Sequence, residues 1–341
     1  MRKWTKNVFV VLAALVLSIG MTLGSNETVN AKPVILKFAN YHPQKQPITG
    51  EKGVFGYFAR QVEELSKGKV KVKIYYGQSL LKAREQVDGV RKKIADVSWS
   101  AYALDPRLAL VGVTELPFYY PSYDALYEVT KATQSIWEKD FKNLGLKVLF
   151  TFPVGFYQLF SNRPIEKIED LKGLRTRVPG GLMTRSTEAL GATPIKVSVP
   201  EMYTAFQRGM LKATFNIPSS ALALHIYEVS KYLILTNSWT ASAVVFINNK
   251  TFESLPKDTQ DILVEAGQVT ERFGPKRVDE ASAEAIKLMV AKGMKYSVIP
   301  AKERARWKAS CGQVVSRWLQ KSGEQGKKEL AIAEKIMHKY E

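Results

Sequence analysis

The chain carries a single cysteine, Cys311, in 341 residues. One thiol excludes an internal disulfide framework and any cysteine-cluster metal site. Histidine is nearly as scarce. His42, His225 and His338 stand far apart, and neither an HExxH run nor a Cys-His spacing occurs. A zinc hydrolase is not expected from such a set. GxGxxG, GxxxxGK[ST] and GxSxG are also missing, so phosphate cradles and a serine-hydrolase elbow lack support. Acidic residues fall mostly on expected helix surfaces, which singles out no carboxylate pair for glycoside chemistry. Apart from residues 8–23, no apolar run approaches the length of a membrane span.

That one run has a context. Arg2, Lys3 and Lys6 precede it, and Val29-Asn30-Ala31 places small residues at the two positions a signal peptidase reads. Residues 1–31 therefore read as a cleaved secretory signal, which directs the mature chain to the periplasm. At about 16 residues the run is shorter than the roughly 20 needed to cross a bilayer. Fifty Lys+Arg against 32 Asp+Glu give a formal charge of +18. Such an excess fits nucleic acid, an anionic surface or an anionic ligand. Export argues against nucleic acid. The basic residues are also dispersed: Lys67, Lys69, Lys71 and Lys73 alternate with Gly68, Val70, Val72 and Ile74, the pattern of a strand with one solvated face.

Hydrophobic residues make up 45% of the chain and charged residues 24%, a globular balance, and the length suits two domains. A buried strand at 34–40, helical spacing of Val54, Phe58, Val62 and Leu65, an alternating strand at 70–76, a charged helix at 83–92 and a strand at 95–99 give the order β-α-β-α-β. That order predicts parallel strands joined by helical crossovers, with ligands bound beyond the strands' carboxyl ends. Ser122 caps an expected helix to about Leu144. A second α/β unit is expected from Tyr157 onward, with strands near 195–199, 213–217 and 233–237 and a helix from Ser198 to about Arg208 on capping-box spacing. A strand at 243–248 follows, then a long helical tract from Leu255 that Gly274-Pro275 should kink or break, and a late strand at 295–299. Without a flexible linker, the chain is expected to cross between the units more than once, leaving a cleft between lobes.

The stretch Leu171-Lys172-Gly173-Leu174-Arg175-Thr176-Arg177-Val178-Pro179-Gly180 is the most informative. Arg175 and Arg177 lie on one side of a strand, and Arg177 falls at its end. An Arg there can aim a planar fork of donors at a carboxylate; the alternative is two exposed strand residues. This stretch, with Glu115-Leu116-Pro117-Phe118, Ser161-Asn162-Arg163-Pro164-Ile165 and Pro200-Glu201-Met202-Tyr203-Thr204-Ala205-Phe206-Gln207-Arg208-Gly209, resembles the substrate-binding proteins of TRAP (tripartite ATP-independent periplasmic) transporters, over nearly the whole mature chain. The resemblance implies an α/β, two-lobed periplasmic binding protein of the type II class, crossed by a long helix at 255–291. It implies lobe I at 32–154 plus 243–282 and lobe II at 155–242 plus 283–341. It also implies a monomer that binds a small organic acid anion and hands it to membrane permease subunits.

The family's carboxylate-binding Arg falls on Arg177, and a ligand-binding Asn falls on Asn216. Two departures make the expected pocket less polar. Tyr157 stands where many members have a second Arg, and Phe215 replaces an acid or amide beside the site. A monocarboxylate with an apolar or aromatic body is therefore expected. In the position of a metal-holding acid before Trp239 stands Ser238, so no metal or other cofactor is expected. Trp239, Trp99, Tyr102 and Tyr41 are candidate aromatic walls. The other readings are a receptor feeding a sensor kinase and, more remotely, a secreted enzyme on a similar fold.

Overall fold

The computed structural model describes residues 32–340; the expected signal, residues 1–31, lies outside them. Alternating apolar residues form β1 (Val34–Ala39), helical spacing forms α1 (Val54–Leu65), and alternation returns in β2 (Val70–Tyr75). On β2, Val70 is buried while Lys71 and Lys73 are exposed, the solvated face expected of it. α2 (Gln86–Arg91), shorter than the expected 83–92, leads to β3 (Val97–Ser100). β1 pairs in parallel with β2 and with β3. After a 3-10 helix (Leu110–Glu115) comes α3 (Tyr123–Asn143). Its cap is Ser122, whose side chain accepts the Ala125 N–H at 3.2 Å. α3 is followed by β4 (Leu146–Pro153).

The second sheet begins with β5 (Gln158–Ser161), then a 3-10 helix (Ile168–Leu171), β6 (Arg175–Arg177), α4 (Gly181–Ala189) and β7 (Thr193–Ile195). α5 (Met202–Gln207), β8 (Ala213–Asn216), α6 (Pro218–Ala223), α7 (Ile226–Val229) and β9 (Tyr232–Leu235) complete that stretch. β7 forms two residues earlier than expected. α5 starts later than its capping-box spacing predicts. The Glu201 carboxylate does accept the Ser198 N–H at 3.3 Å, but Val199 and Pro200 make a turn first.

β10 (Ser242–Asn248) then returns to the first sheet and inserts antiparallel between β3 and β4. α8 (Asn249–Ser254), α9 (Lys257–Ala291), β11 (Lys295–Val298), α10 (Ala301–Ser310) and α11 (Gly312–Met337) end the described chain. The strand orders are β2-β1-β3-β10-β4 and β11-β9-β5-β8-β6-β7. Both sheets are mixed, because β10 antiparallels β3 and β4 and β5 antiparallels β8 and β9.

Two of the crossings between the sheets, after β4 and after β9, run side by side. These crossings are bonded to each other: the Val154 N–H donates to the Ala241 carbonyl (3.0 Å), Tyr157 N–H to Trp239 (2.7 Å) and Ser238 N–H to Tyr157 (3.1 Å). They form a two-stranded hinge ribbon. α9 is a third connection. Its Leu263 and Ala266 pack with Phe150 and Phe152 of the first sheet, and its Ala285 and Met289 with Phe160 of the second. Gly267 permits the close approach, since a Cβ there would lie 2.6 Å from the Leu149 carbonyl oxygen. β4 is an edge strand, and its Thr151 N–H is satisfied by the Glu271 carboxylate of α9 at 3.1 Å. Such ties hold the helix on both sides of Pro275, which sits inside α9 without ending it, so of the kink or break expected there the break does not occur. α11 packs along α3, the first 3-10 helix and α4, and turns at Gly323, whose φ of +60° breaks its helical path.

Candidate functional site

β6 places Arg177. Alternation puts Arg175 and Arg177 on one side, and the two diverge in use. Arg175 is exposed and donates to the Gly209 carbonyl at 2.7 Å. Arg177 is only 7% exposed, and its Nε donates to the Val197 carbonyl at 3.3 Å. It forms no ion pair among the described residues. Burial depresses its pKa, opposed by Tyr157 and Tyr41 and reinforced by the Arg84 charge. A guanidinium buried without a counter-ion is costly, and this one lines a cavity of about 450 Å³ between the two sheets.

Groups from both sheets build the wall. At the end of β1, Asn40 accepts hydrogen bonds from the His42 N–H (3.1 Å) and the Trp99 Nε1–H (3.3 Å). This sets Tyr41 stacked on Trp99 with ring centroids 4.8 Å apart, and the His42 imidazole against Tyr41 at 4.3 Å. Burial and the Arg177 charge lower the His42 pKa to about 3, so that imidazole stays neutral. Tyr157 enters from the hinge ribbon, and burial raises its phenol to about 12. Asn216 closes β8; its Oδ1 accepts the Ile217 N–H at 2.9 Å, and its amide nitrogen lies 3.7 Å from the Met202 sulfur. Glu115 of the first 3-10 helix lines the cavity fully buried, and burial raises its carboxyl to about 7 against the Ala103 and Tyr102 backbone N–H groups.

Exposed Lys82, Arg84 and Lys196 ring the cavity, with Glu85 among them. Arg84 joins the lobes: its two terminal nitrogens donate to Leu104 of the first (3.3 Å) and Pro179 of the second (3.1 Å). Gly180 and Gly181, at φ +139° and +56°, admit the Ala103 backbone so closely that a Cβ on either would lie 2.9 Å from it.

The structure thus brings Arg177, Asn216, Tyr157, Trp99 and Tyr41 to one cavity. Three expected wall residues lie elsewhere. Phe215 precedes Asn216 on a strand, so its ring points to the other face, buried edge-on to Trp239 at 4.4 Å. Trp239 sits in the same core, 5.8 Å from Phe118. Tyr102 is buried beneath Lys321 of α11, which lies 5.1 Å from its ring. Phe215 therefore does not bear on the polarity of the cavity. His42, Arg84 and Glu115 were missed as site residues. The position of His42 just past β1 was a usable signal, whereas Arg84 and Glu115 gave none. A larger cavity, about 800 Å³, is lined by Phe156, Gln158 and Asn237, the ribbon residues alternate to Tyr157, and by Pro275. Its basic residues, Arg272 and Lys276, share it with Asp124, Glu271 and Asp279, and Arg177 is not among its walls. Among the described residues no group of three or more His, Cys, Asp or Glu is placed to hold a metal, and no helix is long and apolar enough to cross a membrane.

The profile of DctP, bacterial extracellular solute-binding protein family 7, matches residues 38–322. The C4-dicarboxylate-binding periplasmic protein DctP of Rhodobacter capsulatus is 26% identical over 309 residues, 87% of this chain and 90% of that protein. A Bordetella pertussis extracytoplasmic solute receptor binding pyroglutamic acid superposes with a TM-score of 0.82 at 25% identity, covering 89% of this chain and 100% of the other. A TRAP periplasmic solute binding protein from Desulfovibrio salexigens, with bound orotic acid, shares the fold at a TM-score of 0.82 and 24% identity, covering 89% and 99%. The chain belongs to the DctP family of extracellular solute-binding proteins and has the two-lobed α/β fold of TRAP periplasmic solute receptors.

Proposed function

We propose that this receptor captures an organic monocarboxylate between its lobes and delivers it to the membrane subunits of a TRAP transporter. The observation that carries the reading is Arg177: 7% exposed, free of any acidic partner among the described residues, and part of the cavity wall. An incoming carboxylate supplies the missing counter-charge through two parallel hydrogen bonds. Asn216 and Tyr157 add neutral polar contacts, and the Trp99–Tyr41 stack offers an apolar face to the ligand body. Arg84 is exposed and spends two of its five N–H donors on backbone carbonyls, and Tyr157 offers no charge. One buried, unpaired guanidinium fork favours one carboxylate over two. The relatives bracket the choice, since one is named for C4-dicarboxylates and another binds pyroglutamic acid, a monocarboxylate.

Capture works by closure. The ligand pairs with Arg177 of lobe II, and the Tyr41–Trp99 wall of lobe I folds over it about the hinge ribbon. Contacts made only in the closed state shift the population toward it. Lobe I comprises residues 32–154 with 243–282 and lobe II 155–242 with 283–341; the packing of α11 along α3 ties the tail of lobe II to lobe I. The protein acts as a monomer outside the cytoplasmic membrane after losing residues 1–31, needs no metal, and releases its cargo unchanged. Calorimetry with pyroglutamate, an aromatic monocarboxylate and succinate tests the reading, alongside mass spectrometry of the molecule that copurifies. Tighter binding of succinate than of every monocarboxylate overturns it.

A further inference from the structure

The cavity has a second polar pole that the carboxylate reading does not use. Glu115 is fully buried and lines the cavity. Its Oε1 accepts the Ala103 N–H at 3.0 Å, whereas its Oε2 has no partner. It does not pair with Arg177. Tyr157 lines the same cavity, and its phenol feels both the guanidinium and the carboxyl. A buried carboxyl oxygen without a donor stands out, because such groups are almost always satisfied.

We propose that Glu115 is a specificity-determining residue: its Oε2 accepts a hydrogen bond from an N–H of the ligand whose carboxylate Arg177 holds, so the cargo is an amido, lactam or amino acid. The inference rests on the Arg177 reading and deepens it. Oε1 accepts the Ala103 N–H, which leaves Oε2 as the buried oxygen without a donor. A protonated Oε2 would itself lack an acceptor in the protein. An N–H that meets an ionised oxygen forms the stronger, charge-assisted bond and replaces the missing partner. A purely hydrocarbon acid leaves Oε2 unsatisfied in a closed cavity. Sites built around a buried polar group reject analogues that lack its complement by large factors.

Two matched pairs of probes test this by calorimetry on the full mature protein. One is pyroglutamate against its lactone counterpart, in which a ring oxygen replaces the N–H. The other is N-acetylglycine against acetoxyacetate, in which an ester oxygen replaces it. The wild-type protein is expected to favour the N–H member of at least one pair by tenfold or more. Glu115→Gln keeps an oxygen for the Ala103 N–H and places an NH2 donor where Oε2 was, so the preference is expected to shrink to within threefold or reverse. Equal affinity of the wild type for both members of each pair overturns the proposal, and needs no variant. So does a folded Glu115→Gln protein, judged by circular dichroism, that keeps the wild-type preference. If carboxylates without an N–H bind in an Arg177-dependent way and neither N–H probe does, this inference falls and the Arg177 reading stands. If no carboxylate binds at all, both fall.

Discussion

Replacing Arg177 by Met separates binding from stability in a way few cavity substitutions do. In the wild type a guanidinium 7% exposed is held with one backbone acceptor, Val197, and no carboxylate partner. Its unfavourable burial, reflected in its lowered pKa, would, on the proposed function, be offset when a ligand carboxylate binds. Removing it strands a desolvated carboxylate on the ligand, which by analogy with truncated buried charge pairs costs about 2–5 kcal/mol. At roughly 1.4 kcal/mol per tenfold, that is a loss of about thirtyfold to a few thousandfold in affinity. The apo protein should respond in the opposite sense, because an apolar side chain of similar length relieves an unpaired buried charge. Calorimetry is expected to show binding lost, and thermal melts to show an apo Tm equal to or above wild type, with no upward shift on adding ligand. An affinity within about threefold of wild type refutes the assignment. A fall of several degrees in the apo Tm would mean that Arg177 serves the fold instead.

Arg84→Ala removes the two hydrogen bonds that join Leu104 to Pro179 across the cleft; at about 0.5–1.5 kcal/mol each the affinity should fall roughly 5- to 100-fold, chiefly as faster release in stopped-flow traces, and an unchanged release rate would contradict the latch. Gly181→Val puts a branched side chain at φ +56° where even a Cβ lies 2.9 Å from the Ala103 Cα, so small-angle scattering should show no contraction on adding ligand. Glu329, fully buried on α11 with both oxygens unpartnered, has its carboxyl raised from 4.5 to about 9 by burial and by Asp140. The folded state therefore holds a proton that the unfolded state releases, and stability drains as pH rises from about 4.5 toward 9. Glu329→Gln should remove that slope, gaining up to about 3 kcal/mol at pH 7 and little at pH 4; a wild-type Tm that rises across that window would contradict it.

The parts of the molecule legible in the sequence were those governed by local pattern. Alternation and helical spacing gave the parallel β1, β2 and β3, the Ser122 cap and the Arg-x-Arg strand whose end points into the cavity. Pairing over long distances was not legible: nothing within residues 242–248 tells β10 to enter antiparallel between β3 and β4. The misplacement of Phe215 has a simple cause. Neighbours on a strand face opposite ways, so a motif that locates Asn216 sends the preceding ring into the core. Trp239 and Tyr102 went the same way, because large aromatics near strand ends and turns serve packing as readily as contact. Glu115 opens the Glu115-Leu116-Pro117-Phe118 motif, but only three-dimensional burial shows an acid with an unsatisfied oxygen.

The hinge ribbon has a consequence for how cargo is judged. Val154, Tyr157 and Ala241 belong to it and also wall the cavity. A solute therefore leans directly on the pivot about which the halves swing. Under the proposed mode of capture, bulk that crowds this seam would prop the jaws ajar before any distant contact is made, and the joint itself would gauge girth while Arg177 reads charge.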